Sequence, residues 1–138
     1  MREEKACACD GAKKLVFSCS GAADVGEISD RAARKLNKEG AGKMYCMAGI
    51  GGDVDIILKT ARAAGAILAI DGCPLNCASR TLTKAGFSDF QTVALAELGM
   101  DKGASPATEA AVEIVADKAR AALACKTETI SKPEGSTA

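Results

Sequence analysis

Ala66-Ile67-Leu68-Ala69-Ile70, running directly into Asp71-Gly72-Cys73-Pro74-Leu75-Asn76-Cys77, is the stretch that decides the fold. An apolar run with no polar alternation describes a strand covered on both faces, which means the middle of a parallel sheet sandwiched between helices. The run is far below the roughly 18 apolar residues that a bilayer-crossing helix requires. Gly65, just upstream, suits the left-handed cap that closes a helix, with Asp53 as that helix's N-cap and Val54, Ile57, Leu58 and Ala61 as its apolar stripe. Downstream, Pro74 fits the first position of a further helix, where its fixed φ is already helical and its missing N–H has no partner to lose. That helix carries Leu75, Cys77, Ala78 and Leu82 and ends at Gly86.

The same punctuation extends in both directions. Leu15 to Ser20 reads as a strand stopped at Gly21, and Val25, Ile28, Ala32 and Leu36 then fall at helical spacing as far as Gly40. Lys43 to Ala48 reads as a second strand ending in Gly49-Ile50-Gly51-Gly52, Phe90 to Leu95 as a fourth, and Ser105-Pro106 opens a last helix reaching about Cys125. Strands alternating with helices predict an α/β fold: a single three-layer domain with a mainly parallel four-stranded sheet in the order 2-1-3-4, Rossmann-like or flavodoxin-like, with right-handed crossovers. The domain is expected over residues 14–125, with mobile tails at 1–13 and 126–138 where little can be buried.

Composition narrows the function. The chain has 138 residues, enough for one domain, and its 18 basic and 18 acidic residues cancel, leaving no excess positive charge to attract nucleic acid. Met1-Arg2-Glu3-Glu4-Lys5 has no apolar segment behind it, so no secretory signal is expected, and the cytoplasm is the default location. Histidine is absent, which removes the usual base near neutral pH and the commonest nitrogen ligand, so any metal site must be built from sulfur and oxygen. Seven cysteines make an odd number for a disulfide framework, and reduced thiols are the better reading.

Cys19, Cys46 and Cys73 each fall at the carboxyl end of an expected strand, and Cys77 one helical turn past Cys73. That edge of an open parallel sheet is where ligands bind. Any one cysteine alone is more simply a small core hydrophobe, but four of the seven gathering at one edge favours a shared task. Four thiolates suit tetrahedral zinc or an iron–sulfur cluster, and the helices following Cys19 and Cys73 are expected to aim their positive ends at the sulfurs and favour their ionised form. Asp71 is expected to bond loop amides or groups near the sulfurs, and Gly49 to Asp53 to form a tight turn or an anion-binding nest. Arg80, seven residues after Cys73, departs from the spacing of cysteine phosphate-transfer loops, and Cys73 with Cys77 forms C-x-x-x-C instead of the C-x-x-C of dithiol enzymes. Cys7-Ala8-Cys9 and Cys125 stand apart from this group.

Phe17-Ser18-Cys19-Ser20-Gly21-Ala22, Cys46-Met47-Ala48-Gly49-Ile50-Gly51-Gly52 and Ile70-Asp71-Gly72-Cys73-Pro74-Leu75-Asn76-Cys77 together resemble the signature of the DGC-domain family, which takes its name from the Asp-Gly-Cys tripeptide. The similarity covers about residues 14–101. It implies zinc held by Cys19, Cys46, Cys73 and Cys77, and it implies no particular reaction. The resulting expectation is a cytoplasmic metal-binding protein that binds, senses or delivers zinc, with zinc hydrolysis disfavoured and the question of an enzymatic role left open, since a closed four-thiolate site leaves no position for water. An iron–sulfur protein, or a thiol redox enzyme using Cys73 and Cys77, are the alternatives. The expected partner is a metal ion, with neither nucleic acid nor membrane; a protein partner is unspecified and self-association is left open.

Overall fold

The computed structural model describes residues 12–124. The four strands are β1 (Lys14–Ser18), β2 (Lys43–Met44), β3 (Ala66–Asp71) and β4 (Gln91–Ala94), all parallel, in the order β2-β1-β3-β4. This is the expected α/β architecture with the expected strand order. Among the described residues five helices connect and cover the sheet: α1 (Asp24–Glu39), α2 (Met47–Gly51), α3 (Asp55–Arg62), α4 (Cys77–Lys84) and α5 (Glu109–Leu123), with a short 3-10 turn at Leu95–Leu98.

Alternation along each strand explains the three layers. Val16 on β1 and Leu68 and Ile70 on β3 face α1 and α5, where they pack with Ile28, Leu36, Val115 and Ala119. Their neighbours Leu15, Phe17, Ile67 and Ala69 face the other way, onto Ile50, Leu58, Ala78 and Leu82 of α2, α3 and α4. Because both faces are covered, β1 and β3 are apolar at nearly every position, as a central parallel strand requires. Helix α1 ends as expected, with Gly40 in the left-handed region at φ 82° and the Ala41 amide donating back to the Leu36 carbonyl at 3.0 Å.

Four local expectations are corrected. The second strand is not Lys43 to Ala48: it stops after Met44, and Met47–Gly51 coils into α2. The Cys46 sulfur accepts from the Gly49 amide at 3.3 Å and so caps this helix, and Gly49 is small because a Cβ there would sit 2.7 Å from Ile57. Gly49 therefore serves helix packing, while Gly52 lies in the turn that follows α2. Asp53 is not the cap of α3; it takes φ 61°, and the capping position falls to Val54. Pro74 does not open α4, which begins at Cys77 after a left-handed Asn76 at φ 54°. The last helix likewise starts later than expected, at Glu109, where the Thr108 hydroxyl accepts from the Ala111 amide at 3.1 Å.

On the outer border the Met44 amide donates to Asn37 Oδ1 at 2.8 Å. Below β3, the Gly65 amide donates to the Lys13 carbonyl at 2.8 Å. No helix among the described residues is long and apolar enough to cross a membrane. The segments 1–11 and 125–138, and with them most of the two expected tails and Cys7, Cys9 and Cys125, lie outside the described residues.

Candidate functional site

The register puts the sulfurs on one rim. Val16 pairs with Met44 on one side and with Leu68 on the other, and Cys46, two residues past β2, follows at the same carboxyl end of the sheet. Cys19 continues β1 by one residue, its amide donating to the Ile70 carbonyl at 2.8 Å, and Cys73 lies two residues past β3. Cys77 is the first residue of α4. All four thiols are unpaired, with Cys19 and Cys73 partly buried and Cys46 and Cys77 exposed. The chain reverses direction across the sheet between β1 and β3, and Cys19 and Cys73 flank that point.

Cys19 is the most constrained of the four. Its carbonyl accepts the buried Ser29 hydroxyl at 2.7 Å, which ties the end of β1 to α1. Its sulfur lies near the Gly72 amide and within electrostatic reach of Cys77, Asp71 and Cys73. Burial, the largest influence, pushes the Cys19 thiol above its ordinary range; the Gly72 amide opposes this, and the three acidic neighbours reinforce it.

That direction reverses the sequence-based expectation for this residue, and the reason is structural. The start of α1 is occupied by Asp24, which accepts from the Val25 amide at 2.8 Å. The start of α4 is occupied by Asp71, which accepts from Ala78 at 2.7 Å and from Ser79. Carboxylates, and not sulfurs, collect the favourable ends of the two helices. The N-terminal turn of α4 is also where Cys73 and Cys77 part company: a turn closed by the Asn76 amide on the Cys73 carbonyl at 3.0 Å separates them, so they are not neighbours on a single helix face.

The structure thus brings Cys73 and Cys77 within electrostatic reach of Cys19 and holds Cys46 on the same rim with its sulfur turned to the Gly49 amide. Among the described residues, no group of three or more cysteine, aspartate or glutamate side chains is arranged to enclose a metal ion. Ser29 and Asp24 were missed from sequence. Ser29 had a readable signal, because it interrupts the apolar face formed by Val25, Ile28, Ala32 and Leu36. Ser79 had none.

Asp24 also ties down the loop after β4. Its carboxylate accepts from the Gly103 amide at 2.9 Å and the Ser105 amide at 3.0 Å, strapping that loop across the start of α1. Those amides, Gly103 first, hold the Asp24 carboxyl below the ordinary carboxylate range. A depressed carboxyl stabilises the fold fully above its unfolded value, and the contribution disappears as pH falls through the folded value. The Gly103 and Ser105 amide shifts in an NMR titration are therefore expected to move together with a midpoint below that of an ordinary aspartate, and Asp24→Asn should abolish the transition. A midpoint at the ordinary value counts against the strap.

Comparison with known proteins adds two findings. The family model described as the DGC domain matches residues 15–131. The Anaerobic and virulence modulator AnvM of Pseudomonas aeruginosa is 36% identical over 88 residues, an alignment covering 64% of this chain and 67% of that protein. No solved structure matches the chain.

Proposed function

Since the chain belongs to the DGC domain family, we propose that it is a cytoplasmic protein that holds zinc through the thiolates of Cys19, Cys46, Cys73 and Cys77 and serves in metal binding, sensing or delivery. One observation carries the reading: the Cys19, Cys73 and Cys77 thiols gather near Asp71 at the carboxyl rim of the sheet, with Cys46 just past β2 on the same rim. Such a cluster of acidic groups is poorly served by water or by further anions, and a soft cation relieves it by binding the sulfurs as thiolates.

The donor chemistry fits zinc, since four sulfurs without histidine make an all-thiolate set. When bound, zinc supplies a closed four-sulfur centre with no vacant position for hydrolytic chemistry. The protein's own part is positional. The β1–β3 ladder and the Ser29 hydroxyl fix Cys19, the Asp71-capped start of α4 fixes Cys77, and Cys46 caps the short helix that follows β2. Binding must draw these sulfurs closer than they stand, and it must release their protons, so affinity should fall in acid.

A second reading is favoured by the relative's name, which speaks of an anaerobic modulator. An iron–sulfur cluster, or a thiol pair at Cys73 and Cys77, would respond to oxygen where zinc would not. Anaerobic purification with metal analysis and an absorption spectrum separates the three. The expected result is about one zinc per chain in a colourless preparation, lost in Cys77→Ser while circular dichroism stays native, because the apolar core folds without the metal. A brown preparation transfers the site to an iron–sulfur cluster. Metal-free protein with all four thiols titratable overturns both metal readings.

A further inference from the structure

Among the described residues Asp71 is the one charged side chain that is buried, at 2% exposure. A carboxylate removed from water is costly unless its oxygens are satisfied by hydrogen bonds. Among the described residues Asp71 has no basic partner in contact, and it meets that demand from backbone and hydroxyl groups. Oδ1 accepts the Ala78 amide at 2.7 Å and the Ser79 amide at 3.4 Å, while Oδ2 accepts the Ser79 amide at 3.3 Å and the Ser79 hydroxyl. The residue belongs to the end of β3, yet it does the work of an N-cap for α4, and the side chain of Asn76 at the capping position makes no such bond.

The segment between these attachments carries the chemistry. Gly72 lies against the Val25 carbonyl of α1, and just before it the Ile70 carbonyl accepts the Cys19 amide at 2.8 Å; Ala78 and Ser79 are fastened to Asp71. Cys73 sits inside this closed loop and Cys77 at its exit. Both ends of the loop are therefore referred to the last residues of β3, and so is the separation of the two sulfurs.

We infer that Asp71, with Ser79 as its hydroxyl partner, is a positioning residue that sets Cys73 and Cys77 for ligand capture without touching the ligand. The inference rests on the reading that these sulfurs hold a soft metal. It acts through the backbone of α4, so an asparagine, which retains an oxygen for the Ala78 amide, should largely replace it, whereas an alanine should not.

The test uses the full chain and cobalt(II) alone, without oxygen, in competition with a chelator. Asp71→Ala is expected to weaken cobalt binding by about 10- to 100-fold, the usual cost of losing a group that orients a ligand, and to reduce the visible bands of tetrahedral cobalt. Asp71→Asn should recover most of both, and Ser79→Ala should fall between. Folded Asp71→Ala with unchanged affinity and spectrum overturns the inference. If Asp71→Ala does not fold, Ser79→Ala decides by the same criteria. If the unaltered protein takes up no cobalt, the metal reading fails, and positioning is judged in metal-free protein from the iodoacetamide labelling rate of partly buried Cys73 relative to exposed Cys46. A several-fold rise in that ratio in Ser79→Ala or Asp71→Ala supports the inference, and an unchanged ratio overturns it.

Discussion

Phe17→Ala is expected to destabilise the folded chain by about 3–5 kcal/mol, the range for emptying a fully buried aromatic site. Phe17 is 0% exposed on the central strand β1, packed in the cluster that includes Ile50, Ala78 and Leu82. Its ring also meets Tyr45 edge-on, with centroids 6.1 Å apart and planes at 75°. Such pairs contribute about 0.5–1.5 kcal/mol beyond the area they bury. A domain of this kind is stable by only about 5–15 kcal/mol, so the variant should approach the threshold of folding. Urea denaturation checks the energy, and the melting temperature should fall by roughly 10–20 °C. Because Tyr45 precedes Cys46, the loss should also loosen that cysteine, seen as faster alkylation than in the unaltered protein. A change below about 1 kcal/mol would mean that Ile50 and Leu82 collapse into the space, which a close-packed interior makes difficult.

Gly72→Ala should also be damaging, though less so, and for the opposite reason. Gly72 is buried, and a Cβ built on it would stand 2.9 Å from the Val25 carbonyl oxygen and 3.0 Å from its carbon. These are backbone atoms inside α1, without a flexible end that could swing aside. Forcing a methyl into such a gap costs about 1–3 kcal/mol and displaces backbone. The displacement matters here because the Gly72 N–H is the group that opposes burial in setting the state of Cys19. As that amide moves away, the thiol should rise further, so the pH profile of Cys19 alkylation should shift to more alkaline values together with the loss of stability. Full stability with an unchanged profile would show that α1 can retreat from β3, contrary to the packing described.

Much of the frame was legible in sequence because it is set by local pattern. The unbroken apolar residues of Ala66 to Ile70 mark a central strand, and Gly40 closes α1 where the helical spacing of Val25, Ile28, Ala32 and Leu36 runs out. The position of the sulfurs followed from the same pattern, because strand ends are local events and parallel crossovers return every carboxyl end to one edge. What escaped were features decided by distant partners. Gly49 reads as a helix breaker until Ile57 is seen against it. Pro74 reads as a helix start until Asp71 is found holding the amides three and four residues beyond Asn76's neighbour Leu75, at Ala78 and Ser79. The charge state of Cys19 escaped for the same reason: helix ends favour anions, but Asp24 and Asp71 arrived there first.

The amide of Met44, engaged by Asn37 across the outer border of β2, has a bearing on how the molecule behaves in company. An open sheet invites neighbours to extend it, and a row of unused donors and acceptors is the template for fibres. Here that border is two residues long and its Met44 donor is already satisfied from within. A crowded solution thus finds little purchase on this flank, and the chain can keep exposed thiols at the top of its sheet without offering its side as a seed for polymerisation.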